Sequence, residues 1–163
     1  MPLSARWKLR SPLCRNYAMD NTLLIAAYRT TDYRVRLTQG GWVSIHVDAA
    51  LPASLHSLIG ERSWAFITAW NPGSQPQPRS QNHAAQQALL AALRDLPRIS
   101  CIRPGLGVGD DWREASLFVV GPDLAAIDQL AEQFQQNAYV HGLGKGYARL
   151  RLSSDRPPHG QAG

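Results

Sequence analysis

The stretch Trp64-Ala-Phe-Ile-Thr-Ala-Trp-Asn-Pro-Gly-Ser74 decides the fold class of this chain. Its first seven residues are apolar except for Thr68, a pattern typical of a central strand that is covered on both faces. Asn71-Pro72 is a dipeptide that initiates turns, so the strand should end there. We therefore expect a buried strand near the centre of a sheet, with helices packed on that sheet.

The sequence on either side predicts helix, two strands, helix and strand, then the same order again, and finally one extra strand. The helices are predicted over residues 21–30, 51–59, 80–96 and 122–134. The strands are predicted over residues 33–37, 42–47, 64–70, 99–103, 112–120, 138–141 and 147–152. The Gly-rich segment 104–110 is predicted to be a loop. The fold class is thus α+β or mixed α/β, a single domain with a mixed sheet and helices packed on it.

The spacing of strands suggests an internal helix-strand-strand-helix-strand duplication. Val43 and Trp64 are 21 positions apart, and so are Leu117 and Ala138. In each half of the predicted order, the pair joins a residue of the strand before a helix to the first residue of the strand after it. Residue identity between the halves is negligible, so the hypothesis depends on spacing alone.

The net charge of +5 is concentrated before Met19. The basic side chains there have no acidic neighbours, and they are Arg6, Lys8, Arg10 and Arg15. Residues 19–152 carry 12 basic and 11 acidic side chains, a net charge of +1. Because residues 19–152 are nearly neutral, we do not expect nucleic acid as a partner.

These patterns divide the chain into three parts. We expect a basic extension over 1–18 that is disordered or lies upstream of a true start at Met19. A single globular domain should occupy 19–152, and a disordered tail should occupy 153–163. No run of apolar residues approaches the ~18 that a membrane span needs, so we expect a cytoplasmic protein without a membrane partner.

Several kinds of chemistry find no support in the sequence. The glycine runs at 105–109 and 142–146 lead into predicted strands, whereas a phosphate loop leads into a helix. The five histidines show no paired ligand spacing, and neither Cys14 nor Cys101 has an evident partner. We therefore expect no metal and no cofactor.

Polar side chains at predicted strand ends form the candidate site. One wall would consist of Thr68, Asn71, Ser74 and Asn82. The other would consist of Trp112, Glu114, Ser116, Gln136 and Asn137. Asn71 could equally cap its turn, and Asn82 reaches it only if the loop folds back.

Glu114 is the candidate catalytic residue. In an extended segment Trp112, Glu114 and Ser116 share one face, which carries a carboxylate into an apolar strand. Such a carboxylate could be a general base, an anchor for a ligand amine, or half of a structural ion pair with an arginine.

Four segments together resemble the bacterial family called domain of unknown function 3293. They are Trp64–Ser74, Asn82, Gly107–Ser116 and Phe134–Ala138, and the resemblance extends from about Leu23 to Leu150. Gln81 replaces a common acidic residue of the family pattern, and Gln135 replaces a common glycine. The resemblance implies a small soluble bacterial protein and supplies no reaction.

Two functions remain open from the sequence. The first is a polar pocket that binds a small ligand, with nucleotide-like molecules among the candidates, and with or without catalysis by Glu114. The second is a protein–protein interaction or accessory module without catalytic activity, in which the same polar residues only fix the fold. The partner is unknown in either case.

Overall fold

The computed structural model describes residues 21–157, which form four α-helices and seven β-strands. The helices are α1 (Asn21–Thr30), α2 (His56–Ile59), α3 (Arg79–Arg94) and α4 (Leu124–Gln133). The strands are β1 (Asp32–Arg36), β2 (Trp42–Ile45), β3 (Ser63–Ile67), β4 (Cys101–Val108), β5 (Arg113–Val120), β6 (Ala138–Leu143) and β7 (Arg149–Leu152). The predicted basic extension, the start at Met19 and residues 158–163 of the predicted tail lie outside the described residues.

The strands form one antiparallel sheet in the order β2-β1-β4-β5-β3-β6-β7. The α+β class is confirmed, but the expectation of a mixed sheet is wrong, because every pair of neighbouring strands runs antiparallel. Three of those pairs are consecutive in the chain and joined by short connections, which favour antiparallel pairing. The predicted element order is confirmed, while β3 lies between β5 and β6, so the two halves interleave in the sheet. The duplication stays a prediction.

The sheet curls until its two ends meet. An isolated antiparallel bridge joins Ala50, after β2, to Tyr147, before β7. The backbone N–H of Asp48 donates to the carbonyl oxygen of Ala148 at 2.8 Å. The Arg149 guanidinium also pairs with Asp48 at 2.9 Å. These contacts connect the two edge strands.

Both faces of β3 are buried, as predicted. Trp64 and Phe66 belong to an inner cluster that α2 helps to close, whereas Ala65 and Ile67 face an outer cluster. The outer cluster includes side chains of α3 and α4. Alternate residues of an extended strand point to opposite faces, so a strand between two clusters must be apolar at every position. The strand nevertheless ends at Ile67 and not at Trp70.

The prediction of a loop over residues 104–110 is wrong for residues 104–108 and holds only for Gly109 and Asp110. Strand β4 continues through Pro104 to Val108 and pairs with β5 along its whole length. Gly105 lies where a Cβ atom would come within 2.7 Å of the Phe66 ring. Close packing against an aromatic side chain, and not a turn, therefore explains this glycine.

Candidate functional site

The segment after β3 turns away from the sheet at Asn71. Thr68 Oγ1 donates to the carbonyl oxygen of Ala115 at 2.7 Å and accepts from the Trp70 N–H at 3.1 Å, which ties the segment to β5. Asn71 then adopts the left-handed conformation, with φ of 46° and ψ of 65°, and a short 3₁₀ turn over Pro72–Ser74 follows. Asparagine tolerates this conformation better than most residues.

Asn82 on α3 folds back onto this turn. Its Oδ1 accepts from the Asn71 backbone N–H at 2.9 Å, and its Nδ2 donates to Asn71 Oδ1 at 3.0 Å. Gln77 Nε2 donates to the same Asn82 oxygen at 2.7 Å. Asn71 and Asn82 are almost fully buried, with exposed fractions of 3% and 1%. The structure thus brings these two predicted residues together.

Glu114 lies on β5 with an exposed fraction of 6%. Its Oε1 accepts a hydrogen bond from Asn71 Nδ2 at 3.0 Å, and Ser116 Oγ donates to its backbone carbonyl at 3.3 Å. Burial raises the pKa of the Glu114 carboxyl to about 7, and the hydrogen bond from Asn71 opposes that rise. No arginine or lysine in the described part of the chain pairs with it. The alternative of a structural ion pair therefore finds no support in residues 21–157.

A second group of polar contacts closes the other side of the turn. Asn137 Nδ2 donates to Ser74 Oγ at 2.8 Å, and the hydroxyl groups of Tyr28 and Ser74 are 3.3 Å apart. Gln136 Nε2 donates to the carbonyl oxygen of Trp70 at 3.2 Å. The segment between α4 and β6 therefore holds the 3₁₀ turn in place.

The turn after β3, strand β5 and the segment before β6 border a cavity of about 50 Å³. Seven of the nine predicted site residues line it, namely Thr68, Asn71, Ser74, Trp112, Glu114, Ser116 and Gln136. Asn82 and Asn137 do not line it, and they instead hold Asn71 and Ser74. Several lining residues were not predicted from the sequence, among them Tyr28, Tyr33, Phe66, Trp70, Gly107 and Tyr139.

The strand register explains how the cavity forms. Gly107 on β4 is paired with Tyr33 on β1 and with Glu114 on β5, so the three residues form one row across the sheet. Directly paired residues point to the same face. Because the middle residue has no side chain, space remains between Tyr33 and Glu114. The sequence does not show this pairing, because its glycines predict a loop at Gly107.

Glu114 is the only charged residue among the described residues that line the cavity. Burial raises the pKa of the neighbouring Tyr33 hydroxyl, and the charge of Glu114 adds to that rise. The Trp70 indole N–H is buried and has no hydrogen-bond partner among residues 21–157. Within the same residues, no three His, Cys, Asp or Glu side chains are arranged to hold a metal ion.

Comparison with known protein families gives a match over the middle of the chain. Residues 67–139 match the family described as protein of unknown function (DUF3293). The resemblance to this family is confirmed over these residues, whereas its predicted extension to about Leu23 and Leu150 is not covered by the match. All nine predicted site residues fall inside the DUF3293 match, whereas Tyr28 and Tyr33 lie before it. No curated protein and no solved structure matches the chain significantly.

None of the helices within residues 21–157 is long and apolar enough to cross a bilayer. The longest, α3, has 16 residues and carries polar side chains along its exposed side.

Proposed function

We propose that the cavity between β5 and the turn after β3 binds a small polar molecule, and that Glu114 is the group that bonds it. The observation that carries this proposal is that Glu114 has an exposed fraction of 6%, while its carboxyl group receives one hydrogen bond from residues 21–157, donated by the neutral amide of Asn71. A buried carboxylate is unfavourable unless it is paired and fully hydrogen-bonded. A ligand that donates to Glu114 would supply the missing partner.

The same group is suited to proton transfer. A pKa of about 7 for the Glu114 carboxyl is close to neutral pH, where a general acid or base works best. If the protein converts its ligand, Glu114 is the residue that would exchange the proton. Asn71 would orient the ligand, and Asn82 would act through Asn71 as a positioning residue.

The lining favours some parts of a nucleotide-like ligand over others. The described residues around the cavity include no lysine, arginine or histidine side chain. Proteins bind phosphate groups mainly through such cations or through the N-termini of helices. A heterocyclic ring with hydrogen-bond donors therefore suits the cavity better than the phosphate portion of a nucleotide.

A thermal-shift screen of the full chain tests the proposal. The library should contain nucleosides, nucleotides, amines and other common metabolites. A ligand present at 100 times its dissociation constant stabilises the folded state by roughly 2.7 kcal/mol, a shift that such a screen resolves. We expect at least one compound to stabilise the protein and to lose its effect in Glu114→Gln.

The matched control is Glu61→Gln, because Glu61 carries the same group on the exposed surface and does not line the cavity. The ligand effect should survive in this control. A ligand that stabilises wild type and Glu114→Gln equally would place binding elsewhere and contradict the proposal.

The second candidate function is an interaction or accessory module in a bacterial cytoplasm. The observation that favours it is the mutual bonding of Asn71, Asn82 and Gln77, which a purely structural network would also show. Size-exclusion chromatography of cell extract separates the two candidates. A stable larger complex would favour the module, whereas a monomer that responds to a ligand would favour the binding site.

A further inference from the structure

The side chains that line the cavity are rich in aromatic rings, which favours a cationic ligand. Six aromatic side chains line it, and they are Tyr28, Tyr33, Phe66, Trp70, Trp112 and Tyr139. Aromatic rings attract cations over their faces, and the attraction is strongest when the cation has lost its water. Glu114 adds a buried carboxyl group to the same lining. This combination of rings and one carboxyl group is typical of sites that bind organic cations.

We propose that the cavity binds the cationic head group of a small amine or guanidine, with Glu114 as its counter-ion. This inference rests on the small-molecule function proposed above and narrows its ligand class. A cation would form the ion pair that Glu114 lacks among residues 21–157. An anion would instead meet the carboxyl group with no lysine, arginine or histidine in the described lining to offset the repulsion.

The cavity is large enough for the charged head group of such a ligand and too small for the whole of a larger molecule. A single water molecule needs roughly 10–15 Å³ of cavity space. The volume of about 50 Å³ therefore accommodates a group of only a few non-hydrogen atoms, such as an ammonium or guanidinium group. The remainder of a larger ligand would lie outside the cavity.

The test compares two probes that share a shape and differ in charge. Methylguanidinium chloride and methylurea are titrated separately into the ¹⁵N-labelled full chain at constant ionic strength. The indole N–H signals of Trp70 and Trp112 report binding, because both side chains line the cavity. We expect methylguanidinium to bind at least tenfold more tightly than methylurea. Potassium chloride at the same concentration should leave both signals unchanged.

The role of Glu114 is tested with the same probes. Glu114→Gln should abolish the preference for the cation, whereas Glu61→Gln should keep it. Equal affinities for the two probes in the wild-type protein would overturn the inference without any variant. An unchanged preference in Glu114→Gln would overturn it as well.

The two proposals can fail separately. A neutral or anionic library compound that depends on Glu114, together with no binding of methylguanidinium, would overturn the cation class and leave the small-molecule site standing. If no probe and no library compound responds to the Glu114→Gln change, both proposals fail.

Discussion

Asn71 Nδ2 donates to Glu114 Oε1 at 3.0 Å, a contact between residues 43 positions apart in the chain. Asn82 fixes the orientation of this amide group, because it forms hydrogen bonds with both the backbone N–H and the side-chain oxygen of Asn71. One neutral donor stabilises the ionised form of Glu114 less than burial destabilises it. The pKa of this carboxyl therefore rises to about 7 and makes Glu114 responsive to charge brought into the cavity.

Glu114→Gln should remove a pH-dependent component of stability. The pKa of the carboxyl is about 7 in the folded protein, against an ordinary value of 4.5. The folded state thus binds the proton more tightly, so this contribution is fully present below about pH 4.5 and is lost as the pH rises to about 7. The wild type should lose about 3 kcal/mol relative to Glu114→Gln over that range.

Urea unfolding of both proteins at several pH values between 4 and 8 measures this difference. Glu61→Gln provides a control in which an exposed carboxyl group is removed. If the difference in the free energy of unfolding between wild type and Glu114→Gln does not change with pH, the assigned pKa is incorrect.

Asn82→Ala should destabilise the protein by about 2–3 kcal/mol, because it leaves the buried N–H of Asn71 without the oxygen that now accepts it. Gln87→Ala is the matched control, since Gln87 is an exposed amide on the same helix. That control should change the free energy of unfolding by less than about 0.5 kcal/mol. Equal effects of the two substitutions in urea unfolding would show that the Asn71–Asn82 contacts contribute little.

The left-handed backbone at residue 71 predicts which of two Asn71 variants is the more stable. Asn71→Ala and Asn71→Gly both remove the amide that contacts Asn82 and Glu114. Glycine adopts a φ of 46° without the steric penalty that alanine meets there. Asn71→Gly should therefore be more stable than Asn71→Ala by about 1 kcal/mol. The reverse order in thermal unfolding would mean that the turn rearranges when the side chain is lost.

Two glycines of β4 should differ in how much stability the protein loses when each is replaced by alanine. A Cβ atom at Gly105 would come within 2.7 Å of the Phe66 ring, whereas at Gly107 the nearest atom, on Trp112, is 3.6 Å away. Gly105→Ala should destabilise the protein by about 1–3 kcal/mol through overpacking. Gly107→Ala should cost less than Gly105→Ala. Similar losses for both in urea unfolding would contradict the packing described at Phe66.

The sequence predicted those residues around the cavity that can be inferred from local pattern. Residues Asn71 and Glu114 were found because one follows a buried strand and the other interrupts an apolar strand at a two-residue period. Neither inference needs to know which strands are neighbours. The same local patterns predicted the order of the helices and strands.

The rest of the site depends on pairing between distant strands. Tyr33 and Gly107 lie next to Glu114 only because β1 and β5 both pair with β4. The glycines of β4 were interpreted as a loop, since glycine and proline more often mark turns than strands. Because the predicted strand ended at Arg103, the row of Tyr33, Gly107 and Glu114 that borders the cavity could not be predicted.

The most direct test follows the ionisation of Glu114 itself. The side-chain carboxyl carbon is observed by ¹³C NMR in the full chain between pH 4 and 9, and Glu114→Gln identifies its signal. We expect a titration with a pKa close to 7 that moves to lower pH when methylguanidinium is added. A pKa near the ordinary 4.5 would mean that the carboxyl group is solvated or already paired, and would contradict a buried Glu114 that lacks a counter-ion.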